Sequence, residues 1–309
     1  MAAITNTTVS ADLAAGMDIE MVMNFQQEYD RLAEVLGIVT PEIVAAGTAL
    51  YQFKVEGKLS TETVAEGDET PLSKYKTKKV PVGEVEFEPY RKLTTAKAIL
   101  KSGYGPAVLK TDAKMIKDVR ANIIAKFFDF LKKGTGTAEG ATLQAAIAMA
   151  DCALEDAMED NGDKAERIVH FVNRSDIAKY LAETPVTTQT LFGMTYLQNY
   201  LGMEHCFVTN KVAAGSVYVT PAENIHMYGI DFGALAQAEI DYTTVEGSLI
   251  GVHHEPNYTR NSTETFVATG ATLLAEILNY IVKGTIKPAA DETGSGGTPS
   301  QGGGEQSGS

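Results

Sequence analysis

Two runs of alternating residues, with a long polar stretch between them, constrain this chain more than any other feature. Tyr51-Gln52-Phe53-Lys54-Val55-Glu56 places an apolar residue at every second position, and Glu84-Val85-Glu86-Phe87-Glu88 does so again. Period two with aromatic and β-branched residues predicts strand, one face apolar and one wet. Between the runs, Gly57 to Pro81 is almost all charged or polar. It has no helical stripe and too few large apolar residues to bury itself. The pattern predicts a long hairpin over Leu50 to Leu93, returning through Glu84–Glu88. An arm of about 15 residues reaches roughly 50 Å.

A two-stranded arm is marginal alone in water, and its open edges invite another chain. Its charges are split along the sequence. The acidic half carries Glu62, Glu66, Asp68 and Glu69, and the basic half carries Lys74, Lys76, Lys78 and Lys79. Such a split suits contact between copies, because each copy supplies both signs. These eight residues are the candidate intersubunit contacts. A solvated surface loop is the competing reading.

With 309 residues the chain has room for two or three compact units. A formal charge of -14 argues against general binding to nucleic acid or to an anionic membrane. Cys152 and Cys206 have no metal-site spacing, and the expectation is two buried thiols in a reducing compartment. Met1-Ala-Ala-Ile-Thr-Asn has no basic segment followed by an apolar one, and no apolar run approaches a membrane span. A protein that is soluble and intracellular when made is expected.

Taken in order, residues 1 to about 16 are small and polar and predict an extended arm. Met17 to Leu36 predicts a helix, striped by Met21, Met23, Phe25, Tyr29, Leu32 and Leu36 and stopped by Gly37. After the hairpin, Thr94 to Ser102 predicts a short helix ended by Gly103. Thr111 or Asp112 is the expected cap of the next helix, which runs to Lys133. Its stripe is Met115, Ile116, Val119, Ile123, Phe127, Phe130 and Leu131, and its length is roughly 33 Å. A further helix spans Ala141 to Glu159, with Leu143, Ile147, Ala150, Leu154 and Met158 on one side. Arg167–Val172 is a short, nearly continuous apolar run that suits a buried strand. Asn173–Asp176 starts a helix to about Leu181, and short strands follow at His205–Thr209 and Ser216–Thr220. Leu249–His254 and Glu264–Ala268 form a second hairpin. Thr269 to Lys283, with Leu273, Leu274, Ile277, Leu278 and Ile281, predicts a final amphipathic helix. From Lys287 onward the composition is that of a flexible tail.

Motifs of catalysis are missing from the sequence. Gly103-Tyr104-Gly105-Pro106 lacks the third glycine of a dinucleotide fingerprint, and no phosphate loop or nucleophile elbow occurs. His253 and His254 are adjacent, so on a strand they point to opposite faces and do not share a metal. His170, in an apolar run, reads as a satisfied core residue. Glu155, Asp156, Glu159 and Asp160 read as a solvated helix face.

The order of these parts resembles the major capsid proteins of tailed bacteriophages, with the Hong Kong 97-type fold. The resemblance covers about residues 20 to 285. Glu66-Gly67-Asp68-Glu69-Thr70-Pro71-Leu72-Ser73 is similar to the family's extended-loop tip, and Ile168 to Asp176 to its strand-turn-helix entry. The resemblance implies an α+β chain: an N-terminal arm over residues 1–47 and an extended loop over 48–93. A peripheral domain would take 94–134 and 246–269, with 111–133 as its spine helix. An axial domain would take 135–245 and 270–287, and a flexible tail 288–309. It further implies a structural protein, not an enzyme, without cofactor or metal, that self-assembles into an icosahedral shell around double-stranded phage DNA. Its partners would be itself, in hexamers and pentamers, then portal and scaffolding proteins, and DNA held without sequence specificity. No membrane would be involved. The implied location is the virion, after synthesis in the host cytoplasm. An encapsulin-like compartment shell is the alternative on the same fold, and a soluble α/β enzyme with a long surface hairpin the alternative of another class. Some relatives crosslink a loop lysine to a neighbour's asparagine. Lys74, Lys76, Lys78, Asn257 and Asn261 are the residues placed for it here, without the family's motif.

Overall fold

The computed structural model describes residues 10–36, 41–65, 69–181, 189–192, 194–200, 203–236, 238–245 and 247–287. Helix α1 runs from Ser10 to Leu36, so residues 10–16 are helical where an extended arm was expected. It buries Val22, Phe25, Tyr29, Leu32, Ala33 and Leu36 at spacings of three and four. Met23, expected on that stripe, is 48% exposed, and Val22 is buried instead. Strand β1 (Glu42–Val44) follows.

The first hairpin pairs β2 (Thr48–Lys58) with β3 (Lys74–Val85), antiparallel, with a bulge between Leu50 and Tyr51. Its return strand is thus the lysine-rich run closed by Glu84 and Val85, and Glu86–Glu88 lie beyond it. That run showed no alternation because both of its faces meet solvent, and period two is imposed only where one face is buried. Glu88 instead opens β4 (Glu88–Thr95), which belongs to another sheet. Thr95 caps the short helix α2 (Ala96–Ser102), which Gly103 ends at φ 80°.

One π-helical turn, Gly105–Leu109, leads without a break into α3 (Lys110–Leu131). Thr111 and Asp112 therefore do not cap the helix. The Thr111 hydroxyl bonds back to the carbonyls of Ala107 and Val108, and Asp112 is buried. Of the expected stripe, Ile116, Val119, Ile123, Phe127, Phe130 and Leu131 are buried, and Met115 is half-buried.

Strand β5 (Gly136–Gly140) leads to α4 (Leu143–Glu159), capped by Thr142 and seated on Leu143, Ile147, Ala150, Leu154 and Met158 as expected. Strand β6 (Ile168–Asn173) and helix α5 (Arg174–Leu181) follow, then β7 (Gln189–Leu191), β8 (Met194–Tyr200), β9 (Met203–Thr209), β10 (Ser216–Pro221) and β11 (Ile225–Ile230). The late hairpin is β12 (Ile250–Asn257) with β13 (Ser262–Thr269).

The final amphipathic helix does not exist. Residues 269–283 hold β14 (Thr272–Ala275), a 3-10 turn (Leu278–Tyr280) and the start of β15 (Val282–Ile286). Leu273, Leu274 and Ile281 are buried by different sheets, so their helical spacing is coincidental. Gly284 lies against α4: a Cβ there would sit 2.9 Å from the Ala146 carbonyl oxygen.

The large sheet has the order β5-β15-β10-β6-β9-β8-β7. Both of its faces are covered. Phe171, Phe207 and Tyr218 point to the core shared with α3, where Phe127 and Phe128 meet Phe171 edge to face at 5.4 Å. Val172, Val208, Val217 and Val219 point to α4. Two buried faces explain why β6 reads as a nearly continuous apolar run. The smaller sheets are β1-β11-β14 and β12-β13-β4.

Cys206 is fully buried, and burial pushes its thiol up to about 12. Cys152 is exposed, on the outer side of α4, contrary to expectation. His170 is a core histidine as expected but only half satisfied: its Nε2 lies 2.8 Å from Asp151 Oδ1, and its buried Nδ1 has no hydrogen-bond partner among the described residues.

Candidate assembly surfaces

Among its described side chains, the β2–β3 ribbon is rooted in the body at its base, through Leu50, Gln52, Val82 and Val85. The register sorts the rest into two faces. Tyr51, Val55, Tyr75 and Lys79 share one face, with the Lys79 Nζ 3.6 Å above the Tyr51 ring. Tyr75 lies across Gly57, where a Cβ would come within 2.2 Å of the ring. Glu56, Lys58, Lys74, Lys76 and Lys78 share the other face. The ribbon is therefore apolar on one side and basic on the other. Tyr51, Val55, Leu59, Val64 and Tyr75 are exposed, and Leu72 is 94% exposed.

The expected contact residues divide accordingly. Lys78 pairs with Glu56 of the same ribbon at 2.7 Å, both side chains solvated, a pair worth about 0–1 kcal/mol. Lys79 is engaged with Tyr51. Lys74, Lys76, Glu62 and Glu69 are exposed, and Glu66 and Asp68 lie outside the described residues. The acidic half does not stand opposite the basic half, since β3 pairs with β2. The apolar face was missed because Tyr75 stands alone among lysines in sequence and joins Tyr51 and Val55 only through the register.

Two further large apolar side chains are exposed on elements at one end of the β12-β13-β4 sheet. Leu100 of α2 is 88% exposed and Tyr258, in the β12–β13 turn, 85% exposed. The turn is tied to α2 by the Ala96 N–H donating to the Asn261 carbonyl at 2.7 Å. Asn257 is already engaged, donating to Glu264 Oε1 at 2.7 Å and accepting from the Arg260 N–H.

Under the first turns of α1 lies a buried polar cluster. His254, Thr265 and Lys92 form one row across β12, β13 and β4. Asp112 of α3 covers the row: its Oδ1 accepts from Thr265 at 2.9 Å and from Lys92, and its Oδ2 from His254 Nε2 at 3.2 Å. Asp18 of α1 accepts from His254 Nδ1. Burial raises the Asp112 pKa, but the bonds from His254 and Lys92 outweigh it and hold the carboxyl below its ordinary value. Sequence reading set His254 aside as half of an unproductive pair. The signal for the cluster lies in sheet register, not in spacing. Among the described residues, no group of three or more His, Cys, Asp or Glu is arranged to hold a metal. No described helix is long and apolar enough to cross a membrane.

No family model and no curated protein matches the chain. The class of fold is nonetheless defined: it is the Hong Kong 97-type capsid fold, the α+β architecture that the order of parts resembles. In particular, the chain is similar to the solved capsid asymmetric unit of cyanophage A-1(L), at 13% identity. That match covers 83% of this chain and 93% of that one, with a TM-score of 0.52. It is similar to a chain of Mycobacterium phage Ogopogo, at 12% identity over 82% of this chain and 92% of the other, with a TM-score of 0.51. The capsid of cyanophage P-SCSP1u matches at 10% identity, 81% and 86% coverage, and a TM-score of 0.50. Identities this low speak for fold alone.

Proposed function

We propose that this chain is the major capsid protein of a tailed bacteriophage, assembling into an icosahedral shell around double-stranded DNA. The observation that carries the reading is the β2–β3 ribbon. It leaves its own body with Tyr51, Val55, Tyr75 and Leu72 exposed to solvent, on a fold shared with capsid subunits. An arm with an apolar face and open edges is costly in a monomer and useful in a lattice. In this reading the ribbon, within residues 48–93, is the extended loop and lies on a second copy. Glu62, Glu66, Asp68, Glu69, Lys74, Lys76, Lys78 and Lys79 meet charges on that copy. Residues 94–134 and 246–269 form the peripheral domain, with α3 as its spine. Residues 135–245 and 270–287 form the axial domain, and 1–47 the arm to a neighbour. Portal and scaffolding proteins and packaged DNA are the partners of such a shell, made in the host cytoplasm.

Negative-stain imaging and size-exclusion chromatography of the purified chain test this. Capsomers or closed particles are expected. A monomer or small oligomer under all salt and concentration conditions overturns the reading. Particles that hold a protein cargo and no DNA in their native source point to the compartment shell instead.

A further inference from the structure

Both ring nitrogens of His254 face a carboxylate: Nδ1 faces Asp18 Oδ1 and Nε2 faces Asp112 Oδ2. A neutral imidazole has one N–H and one bare lone pair, so it repels one of these two oxygens; only the imidazolium donates to both. Water does not take over, because the side chains of His254, Asp18 and Asp112 are 3%, 4% and 2% exposed. The charges in the cluster balance as two carboxylates against His254 and Lys92. Removing the His254 proton leaves Lys92 alone to balance both carboxylates in a buried site.

The rest of α1 is held differently. Val22, Phe25, Tyr29, Leu32 and Leu36 are packed into the apolar core, and Glu28 pairs with Arg120 of α3. Among the described side chains of the helix, Asp18 is the one buried charge. We propose that His254 is a proton-dependent latch that fastens the first turns of α1 to the body, so that losing its proton frees residues 10–21 while residues 22–36 stay seated.

The groups facing His254 and its carboxylates support this. They are Asp18 from α1, Asp112 and Thr111 from α3, Thr265 from β13 and Lys92 from β4, with Tyr104 beside Met17 of α1. His253 and Glu255 flank it on its own strand and are partly exposed. Burial alone would strip the His254 proton. The bonds to Asp112 and Asp18, and the attraction of both charges, outweigh burial and raise its pKa to about 9. A raised pKa means that the latch is complete below the unfolded value of about 6.5 and is lost as pH rises through about 9. The Tyr104 phenol, raised by burial and then by Asp112 and Asp18, stays neutral while His254 titrates. The latch does not depend on the shell reading, since it acts within one chain.

Hydrogen exchange of the full chain, corrected for the intrinsic effect of pH, tests the latch. In the wild type, protection of residues 10–21 is expected to fall by up to about tenfold per pH unit between about 6.5 and 9, where opening releases one proton, and to level off above about 9. Protection of residues 22–36 holds. His254→Gln is expected to show the loosened level at pH 7 already. Flat protection of 10–21 up to pH 10, or joint loosening of 10–21 and 22–36, overturns the proposal. If His254→Gln fails to fold, the wild-type imidazole followed by NMR decides: a midpoint near 9 supports the latch, and one at or below about 6.5 sinks it.

Discussion

His254 Nε2 donates to Asp112 Oδ2 across 3.2 Å, between residues 142 positions apart. The bond joins β12, the first strand of the late hairpin, to the first turn of α3, and through Asp18 it also reaches α1. Asp112 sits where a helix-capping residue is expected, yet it is a buried counter-ion for three donors.

Removing that counter-ion leaves two cations buried beside it. Asp112→Ala is expected to cost about 3–5 kcal/mol at pH 7, the usual cost of breaking a buried pair from one side. The cost should shrink as pH rises through about 9, where His254 gives up its proton in the wild type. Urea unfolding of unassembled subunits at pH 7 and pH 10 measures both. An equal cost at the two pH values rules out His254 as the charged partner.

Phe127 is almost fully buried and meets Phe128 and Phe171 edge to face. Phe127→Ala is expected to open a cavity and cost about 3–5 kcal/mol. A melting temperature equal to that of the wild type would contradict the packing of α3 on the large sheet.

In the proposed shell, the lysine face of the ribbon meets a second copy. Reversing Lys74, Lys76 and Lys78 to Glu should leave circular dichroism unchanged but stop assembly at capsomers or earlier. Each exposed pair contributes only about 0–1 kcal/mol, but a shell repeats every pair. Salt should weaken wild-type association, because the screening length is about 8 Å at physiological ionic strength. Assembly of the reversed variant at wild-type level in low salt would return the ribbon charges to solvent.

The apolar face makes a separate prediction. Val55→Ser with Tyr75→Ser changes exposed side chains only, so subunit stability should move by no more than about 0.5 kcal/mol per site. Particle yield should drop sharply. If yield is unchanged while the lysine reversal blocks assembly, the charged face alone makes the contact.

Local chemistry was legible in the sequence. The helical stripes of α3 and α4, the stop at Gly103 and the buried run of β6 all follow from residue type and period, whereas the cap expected at Thr111 or Asp112 does not form and the caps fall at Thr95 and Thr142. The presence of a long arm was legible too, because residues 57–81 carry too little apolar surface to fold inward. Partners across distance were not legible. Leu273, Leu274 and Ile281 have helical spacing, but β11 claims the first two as strand residues and the large sheet claims the segment after Ile281. Glu84–Glu88 alternates as a hairpin return should, yet only Glu84 and Val85 lie beside β2, at the end of the lysine run, while Glu88 pairs with Thr269. His254 and Asp18 become one site only when register and helix packing bring them together. Period and propensity are properties of neighbours along the chain. Strand pairing and buried charge balance are set by what else occupies the same space, and that is decided when the whole chain folds.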